Sequence, residues 1–187
     1  SYVSDALGDQ IGSDSLTIID DALLPGEIGS RSFDGEGVPS RRLPILERGV
    51  LKSLLHNSYT AHKDGVENTA HASRGGYSSL PGIGPSNLVI DPGRGTLEDL
   101  IAEVGRGIVC RDTGDRPNMT TGDLSAMIME GFYFENGEIQ HPVKNTLVGI
   151  NMRDLLKRVT LVGADVRRTS TMITPSIVVE EARITSG

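Results

Sequence analysis

The chain has 187 residues, 23 of them glycine and only 4% aromatic, with a formal net charge of -7. That length supplies one substantial hydrophobic core, and an acidic balance with no basic cluster beyond pairs such as Arg41-Arg42 and Arg167-Arg168 argues against a nucleic-acid surface. No apolar run nears the roughly 20 residues that span a bilayer, and no signal peptide opens the sequence, so a soluble protein is expected.

In chain order, a first strand is predicted over residues 16–19. A long segment rich in Gly, Pro and charge follows over 21–44, then a strand over 49–56. A second long segment, rich in Gly, Ser and Asn, covers 62–85 and leads to a strand over 87–90. Loops of this length inside a compact domain are usually functional or mobile, so both are first candidates for contacting a partner or substrate. Thr96 is placed to cap a helix with Asp99 reaching back as the acid three residues on; Leu97, Leu100, Ile101 and Val104 line one face, and Gly105 ends it. A strand over 107–111 is followed by the strongest local signal in the chain, Asn136-Gly137 between the predicted strands 126–135, with its aromatic run Phe132, Tyr133 and Phe134, and 138–141. Such a pair favours a type I′ turn because both central residues must take positive φ. After a strand over 147–150, a second helix is predicted with Asn151 as cap, Met152, Leu155, Leu156 and Val159 as its stripe, and Gly163 as its stop. A last strand covers 177–184. Few strands are far enough apart for a helix to cross back between them, so pairing should be mainly antiparallel. The fold class is α+β in one domain over 1–187, strand-rich, with about two amphipathic helices and long glycine-rich loops.

Few residues offer chemistry. His56, His62 and His71 invite a metal reading, but zinc needs three or four converging ligands, usually with two closely spaced on a rigid element, and neither H-E-x-x-H nor C-x-x-C occurs. They read instead as loop or surface hydrogen-bonding residues, as does His141 before Pro142. Cys110 is the only cysteine, which rules out an internal disulfide and permits a reducing compartment. It follows the apolar run Gly107, Ile108, Val109 and reads as a small core side chain, since a nucleophilic thiol would need a base and an electropositive setting. Ser58, Ser73 and Ser125 lack a G-x-S-x-G elbow. Asp34 and Glu36, set among Gly35 and Gly37, could hold a cation or move a proton, but their neighbours make turn roles the simpler reading. No catalytic, cofactor-binding or metal residue is assigned.

Six segments in one order carry a resemblance: F-D-G-E-G-V-P-S from Phe33, E-R-G-V-L-K-S-L-L-H-N-S-Y-T-A from Glu47, S-N-L-V-I-D-P-G from Ser86, T-G-D-L-S through G-F-Y-F-E-N-G-E-I and P-V-K from Thr121 to Lys144, L-L-K-R-V-T-L-V-G-A-D from Leu155, and P-S-I-V-V from Pro175. Together they resemble the C-terminal domain of the TldD/PmbA family of two-subunit cytosolic metalloproteases. The resemblance implies that N-terminal and central domains precede this region in a longer chain, and it implies a cytoplasmic location. In the family's catalytic subunit, paired zinc histidines and a glutamate lie in the central domain and a cysteine ligand lies in a late C-G-K segment. Here the late region from Arg167 reads R-R-T-S-T-M-I-T-P-S-I-V-V without cysteine, and Cys110 lies too early to align. The S-N-L-V-I-D-P-G run also looks like the PmbA (TldE) subunit rather than the catalytic branch. The resemblance thus implies a non-catalytic subunit with zinc in its partner, a TldD-like subunit or a second copy, acting on unfolded or extended peptides without nucleic acid or membrane. Two alternatives remain: an active metallopeptidase with ligands outside this sequence, and a regulatory binding protein, from the family's proposed link to DNA gyrase.

Overall fold

A computed structural model describes residues 3–186. After a 3-10 turn at Ser4–Ala6, the chain forms β1 (Ile18–Asp21), β2 (Arg42–Glu47) and β3 (Val50–Leu51), then α1 (Ser58–Asp64), β4 (Ala72–Ser73), β5 (Gly82–Ile83) and β6 (Leu88–Ile90). α2 (Leu97–Val104) precedes β7 (Arg106–Thr113), β8 (Asp123–Glu135), β9 (Glu138–Pro142) and β10 (Thr146–Asn151). α3 (Met152–Lys157) leads to β11 (Val159–Val162), β12 (Arg167–Thr169), β13 (Met172–Thr174), β14 (Ile177–Val179) and β15 (Arg183–Ser186).

Two larger sheets organise these strands. One has the order β12-β13-β6-β1-β2-β3, antiparallel throughout except where β13 runs parallel to β6. The other has the order β15-β10-β8-β7, with β9 also on β8. β8 is 13 residues long, long enough to pair with β7 along one edge while β10 and β9 share the other in succession. Two short ribbons, β11-β14 and β4-β5, complete the set. The main core joins Ala6, Ile11, Leu16, Leu46, Leu51, Val159 and Val162. It draws together the N-terminal segment, β2, β3 and β11, so residues far apart in sequence stabilise one another by burial. The class is the strand-rich, mainly antiparallel α+β fold expected.

The hairpin turns where the sequence places it: Asn136 and Gly137 have φ of 54° and 77°, and Glu135 pairs with Glu138 across the two-residue loop. α2 also forms as expected, with a capping box between Thr96 and Asp99 and Gly105 at its end.

Other expectations are corrected. α3 ends at Lys157 rather than running to Gly163: Val159 enters β11, pairs with Val179 and is almost completely buried in the main core. Pairing and burial there outweigh one more helical turn. The predicted strand over 49–56 keeps only Val50–Leu51, and the one over 177–184 breaks into β14 and β15 around Glu181, whose φ is 56°. The first strand shifts to Ile18–Asp21. Strand β2 lies partly inside the first predicted loop, and β4-β5 inside the second. Helix α1 escapes an apolar-stripe reading because only Ala61 is buried, yet Asn57 and Thr60 form a reciprocal capping box and Gly65 closes it with φ of 67°.

Candidate functional site

Buried polar groups collect where β1, β6 and the two long loops meet. Asp20, at the end of the apolar strand β1, is fully buried. Its Oδ2 accepts the Ser86 N–H at 2.8 Å. Its Oδ1 accepts the Ser86 hydroxyl and the His71 ring through Nε2 at 3.1 Å. A carboxylate can only accept, so Nε2 carries a proton. On the other side of the ring, His71 Nδ1 lies 2.9 Å from Thr69 Oγ1, which in turn accepts the His56 N–H at 2.6 Å. Asn87, also fully buried, accepts from Gly29 N–H at 2.9 Å and donates to the Asp21 carbonyl at 2.8 Å and Ser30 Oγ at 3.0 Å. Burying so many polar atoms is tolerable only because they satisfy one another.

A second tie lies above this hub. Asp34 Oδ1 accepts from Glu36 and Val38 N–H groups at 2.9 and 3.0 Å, and Oδ2 accepts from Ala72 N–H at 2.9 Å. Burial by itself would raise the Asp34 pKa, but the backbone donors of Ala72, Glu36 and Val38, helped by the Arg31 charge, hold the carboxyl below its ordinary 3.8. Glu36 accepts from Ser58 N–H at the start of α1 at 2.8 Å. Both acids are therefore turn-and-cap residues. With Asn57 donating to the Pro81 carbonyl at 3.1 Å and Arg74 to the Gly35 carbonyl at 2.9 Å, the loops are fastened to one another. Their outer surface carries large exposed apolar side chains among polar ones: Tyr77 is 98% exposed and Leu80 93%, with Phe33 also exposed, and Tyr59 on α1 beside them.

The structure moves three predicted residues. His56 and His71 are hydrogen-bonding loop residues as read, but they are buried rather than at the surface, because the loop from Thr69 folds inward to reach Asp20 and the His56 backbone. Cys110 is exposed instead of core, on the edge strand β7, with part of its side chain sheltered in a groove. Desolvation, then the Asp112 charge, raise its thiol pKa, the opposite of what a nucleophile needs. His62 lies on exposed α1, and His141 on β9 stacks on Tyr133 with ring centroids 5.4 Å apart.

Neither hydrolysis nor metal binding fits the hub. Ser86 bonds to an aspartate rather than to a histidine base, and at 1% exposure it cannot meet a substrate. Among the described residues no three His, Cys, Asp or Glu side chains converge in a way that could hold a metal. The donor set present, one aspartate and one histidine already spent on hydroxyl and backbone partners, does not suit zinc.

Sequence reasoning did not find Asp20, although an Asp-Asp pair ending the apolar run Ile18-Ile19 is an anomaly worth reading as a buried acceptor. The two segments singled out in the sequence, 86–93 and 167–179, converge. Strand β6, which follows Ser86-Asn87, lies parallel to β13, with Leu88 opposite Met172 and its N–H bonded to the Thr171 carbonyl at 2.8 Å. The stretch without the cysteine thus forms the β12-β13 hairpin, turning at Ser170 with φ of 52°, directly beside the hub.

Comparison with known proteins agrees with this architecture. The profile of the PmbA/TldA metallopeptidase C-terminal domain matches residues 1–186. A proposed modulator of a DNA gyrase from Thermotoga maritima superposes with a TM-score of 0.91 at 37% identity, covering 99% of this chain and 42% of that one. TldE from Thermococcus kodakarensis gives 0.89 at 29% identity with the same coverage. A metalloprotease PmbA homolog of Haemophilus influenzae is 33% identical over 189 residues, covering 100% of this chain and 40% of its own; homologs named TldD match as well. The chain spans about two fifths of the length of the curated relatives it matches. With a matching profile over nearly every residue and the fold of TldE, the chain belongs to the PmbA/TldD metallopeptidase family.

Proposed function

We propose that this chain serves as the C-terminal domain of a PmbA/TldE-like subunit, non-catalytic itself, in a two-subunit cytoplasmic metalloprotease that acts on unfolded or extended peptides. The observation that carries the reading is the β6-β13 neighbourhood. Where the catalytic branch is expected to bring a late cysteine ligand, this chain has an exposed hairpin with Ser170 and Thr171 at its turn. Beside it, Asp20 and His71 are already committed to Ser86 and Thr69. Zinc chemistry then belongs to a TldD-like partner, and this domain contributes shape: loops fastened by Asp34, Asn57 and Asn87 present a surface that includes the exposed Tyr77 and Leu80. A fixed surface can close a chamber and orient a neighbour's site without doing chemistry. The regulatory reading rests on the family's proposed link to DNA gyrase, which the description of the Thermotoga relative repeats.

The test is to measure cleavage of an unfolded peptide by the full-length protein, by a TldD-like partner, by the mixture, and by a mixture whose partner has lost its motif glutamate. Only the unmodified mixture should show substantial chelator-sensitive cleavage. Activity of this protein alone that disappears with chelator would overturn the assignment in favour of the active-peptidase reading.

A further inference from the structure

The five-stranded sheet lacks part of a layer. A sheet that is apolar on one face must bury that face against another element, and here the cover is incomplete. Across β8, β10 and β15, Leu124 lies opposite Ile150, and Val148 lies opposite both Ala126 and Ile184. Residues paired in this way share a face, and all of these but Ala126 line one groove of about 1030 Å³. At one end of the groove α2 supplies the cover. Its Leu100 and Ile101 are buried there, as are Ile128 and Phe134 of β8, and the Gly105 carbonyl that ends the helix accepts the Gly137 N–H at 3.1 Å. At the other end Leu124, Val148 and Ile150 are only half-buried and Ile184 is 42% exposed.

The rim narrows what completes the layer. Arg106 pairs with Glu135 at 3.9 Å, Arg111 with Glu130 at 3.1 Å, and Glu181 with Arg158 at 3.8 Å. These charges are matched within the domain, which leaves apolar burial as the main attraction. A contiguous apolar face of this kind resembles a core cut in half, the mark of a permanent contact rather than a passing one. The polypeptide itself offers such a contact. The matching profile describes a C-terminal domain, and this chain spans about two fifths of its relatives, so most of their length precedes the matched region. The first residues of the fold also lie at the open end. There α3 follows directly from β10, Asp5 is 3.6 Å from Arg153 on that helix, and the Ser13 N–H bonds to the Leu156 carbonyl at 2.8 Å. Leu155, between Arg153 and Leu156, lines the groove, so chain leading into Ser4 is one helix width from it, about 10 Å.

We propose that the open end of this groove is covered by an apolar face of the polypeptide that precedes residue 1, folded back beside α3 over β10 and the start of β8 as the missing layer of the five-stranded sheet. The inference concerns how the domain is completed and stands apart from the protease reading.

The test uses the full-length protein. A photo-crosslinking p-benzoylphenylalanine replaces Ile184 or, in a second variant, Leu155, both of which line the groove. A control carries it in place of Met127, which is 43% exposed and does not line the groove. Each variant is irradiated as a mixture of unlabelled and isotope-labelled chains, and the linked peptides are read by mass spectrometry. Positions 184 and 155 should link to peptides preceding residue 1 without mixing the isotopes, and position 127 should not. Links that mix the isotopes would assign the groove to a second copy and overturn the proposal. So would the absence of links to the preceding region, or equal links from position 127. A measurement without substitutions runs beside it: a photolysed diazirine, which labels accessible side chains of any type, should mark Met127 severalfold more than Ile184, although the two are almost equally exposed in this domain. Equal labelling of the two would show an open groove and overturn the proposal as well.

Discussion

Asp34 is the residue on which the two long loops converge, since one carboxylate receives backbone donors from its own turn and from Ala72 in β4. Charge-assisted bonds of this kind are stronger than neutral ones, and here they overcome the cost of burial enough to hold the folded pKa below 3.8. A depressed folded value gives stability that is fully present above the unfolded pKa and is lost as pH falls through the folded one. Asp34→Asn keeps the shape, replaces the carboxylate with a neutral carbonyl, and turns an NH₂ group toward a donor. It should therefore cost about 1–3 kcal/mol at neutral pH, and its deficit relative to wild type should narrow as pH drops below 3.8. Urea unfolding of both proteins across that range measures this directly, and a deficit that stays constant into acid would show that the charge contributes nothing. The sequence made Asp34 legible as a turn residue because its neighbours are glycines, but its third donor comes from Ala72, 38 residues away. Local composition cannot report such a bond. The same limit explains Cys110: an apolar run says that a strand forms, and only the sheet order says that the strand lies at an edge.

At the scale of elements, the signals that were legible are those written in adjacent residues. The β8-β9 hairpin follows from Asn136-Gly137, and α2 from Thr96, Asp99 and Gly105. Gly137 has φ of 77°, and a side chain there would also meet Ala102 Cα at 3.2 Å. Gly137→Val should therefore destabilise the protein by about 1 kcal/mol or more, through both the left-handed backbone and the contact. Thermal and urea unfolding check this, and an unchanged midpoint would mean that the turn relaxes freely. Elements fixed by distant partners were less legible. Val159 continues an apolar helical stripe, yet β14 recruits it into a sheet. β2 carries Pro44 and lies in a charged stretch, but it pairs with β1 on one side and β3 on the other. Helix α1 is announced by caps rather than by a stripe, because it rides on the surface with one buried residue. The hub of Asp20, His71, Ser86 and Asn87 is the extreme case, since Asp20 and Ser86 are separated by 66 positions.

Over the whole molecule the two large sheets differ in how they are supported. The six-stranded sheet holds Leu46 and abuts the main core, and β1 at its centre is paired on both sides. The five-stranded sheet borders a groove lined by Leu124, Ile128, Phe134, Val148 and Ile150, while Met127, Met129 and Leu147 are exposed elsewhere on it. Leu16, at 1% exposure, should cost about 2–5 kcal/mol when cut to Ala, because the core around it can relax only in part. Met129→Ala, at 64% exposure, should change stability by no more than about 0.5 kcal/mol. The same asymmetry should appear in native-state hydrogen exchange. Amides of β1 and β2 lie between two strands or beside the main core, so they should open only with global unfolding, whereas outward amides of β7 and the exposed β9 and β15 should exchange through local opening. Exchange in β7 at the global rate would mean that its free edge is covered, or that the cooperative core extends into the five-stranded sheet as well.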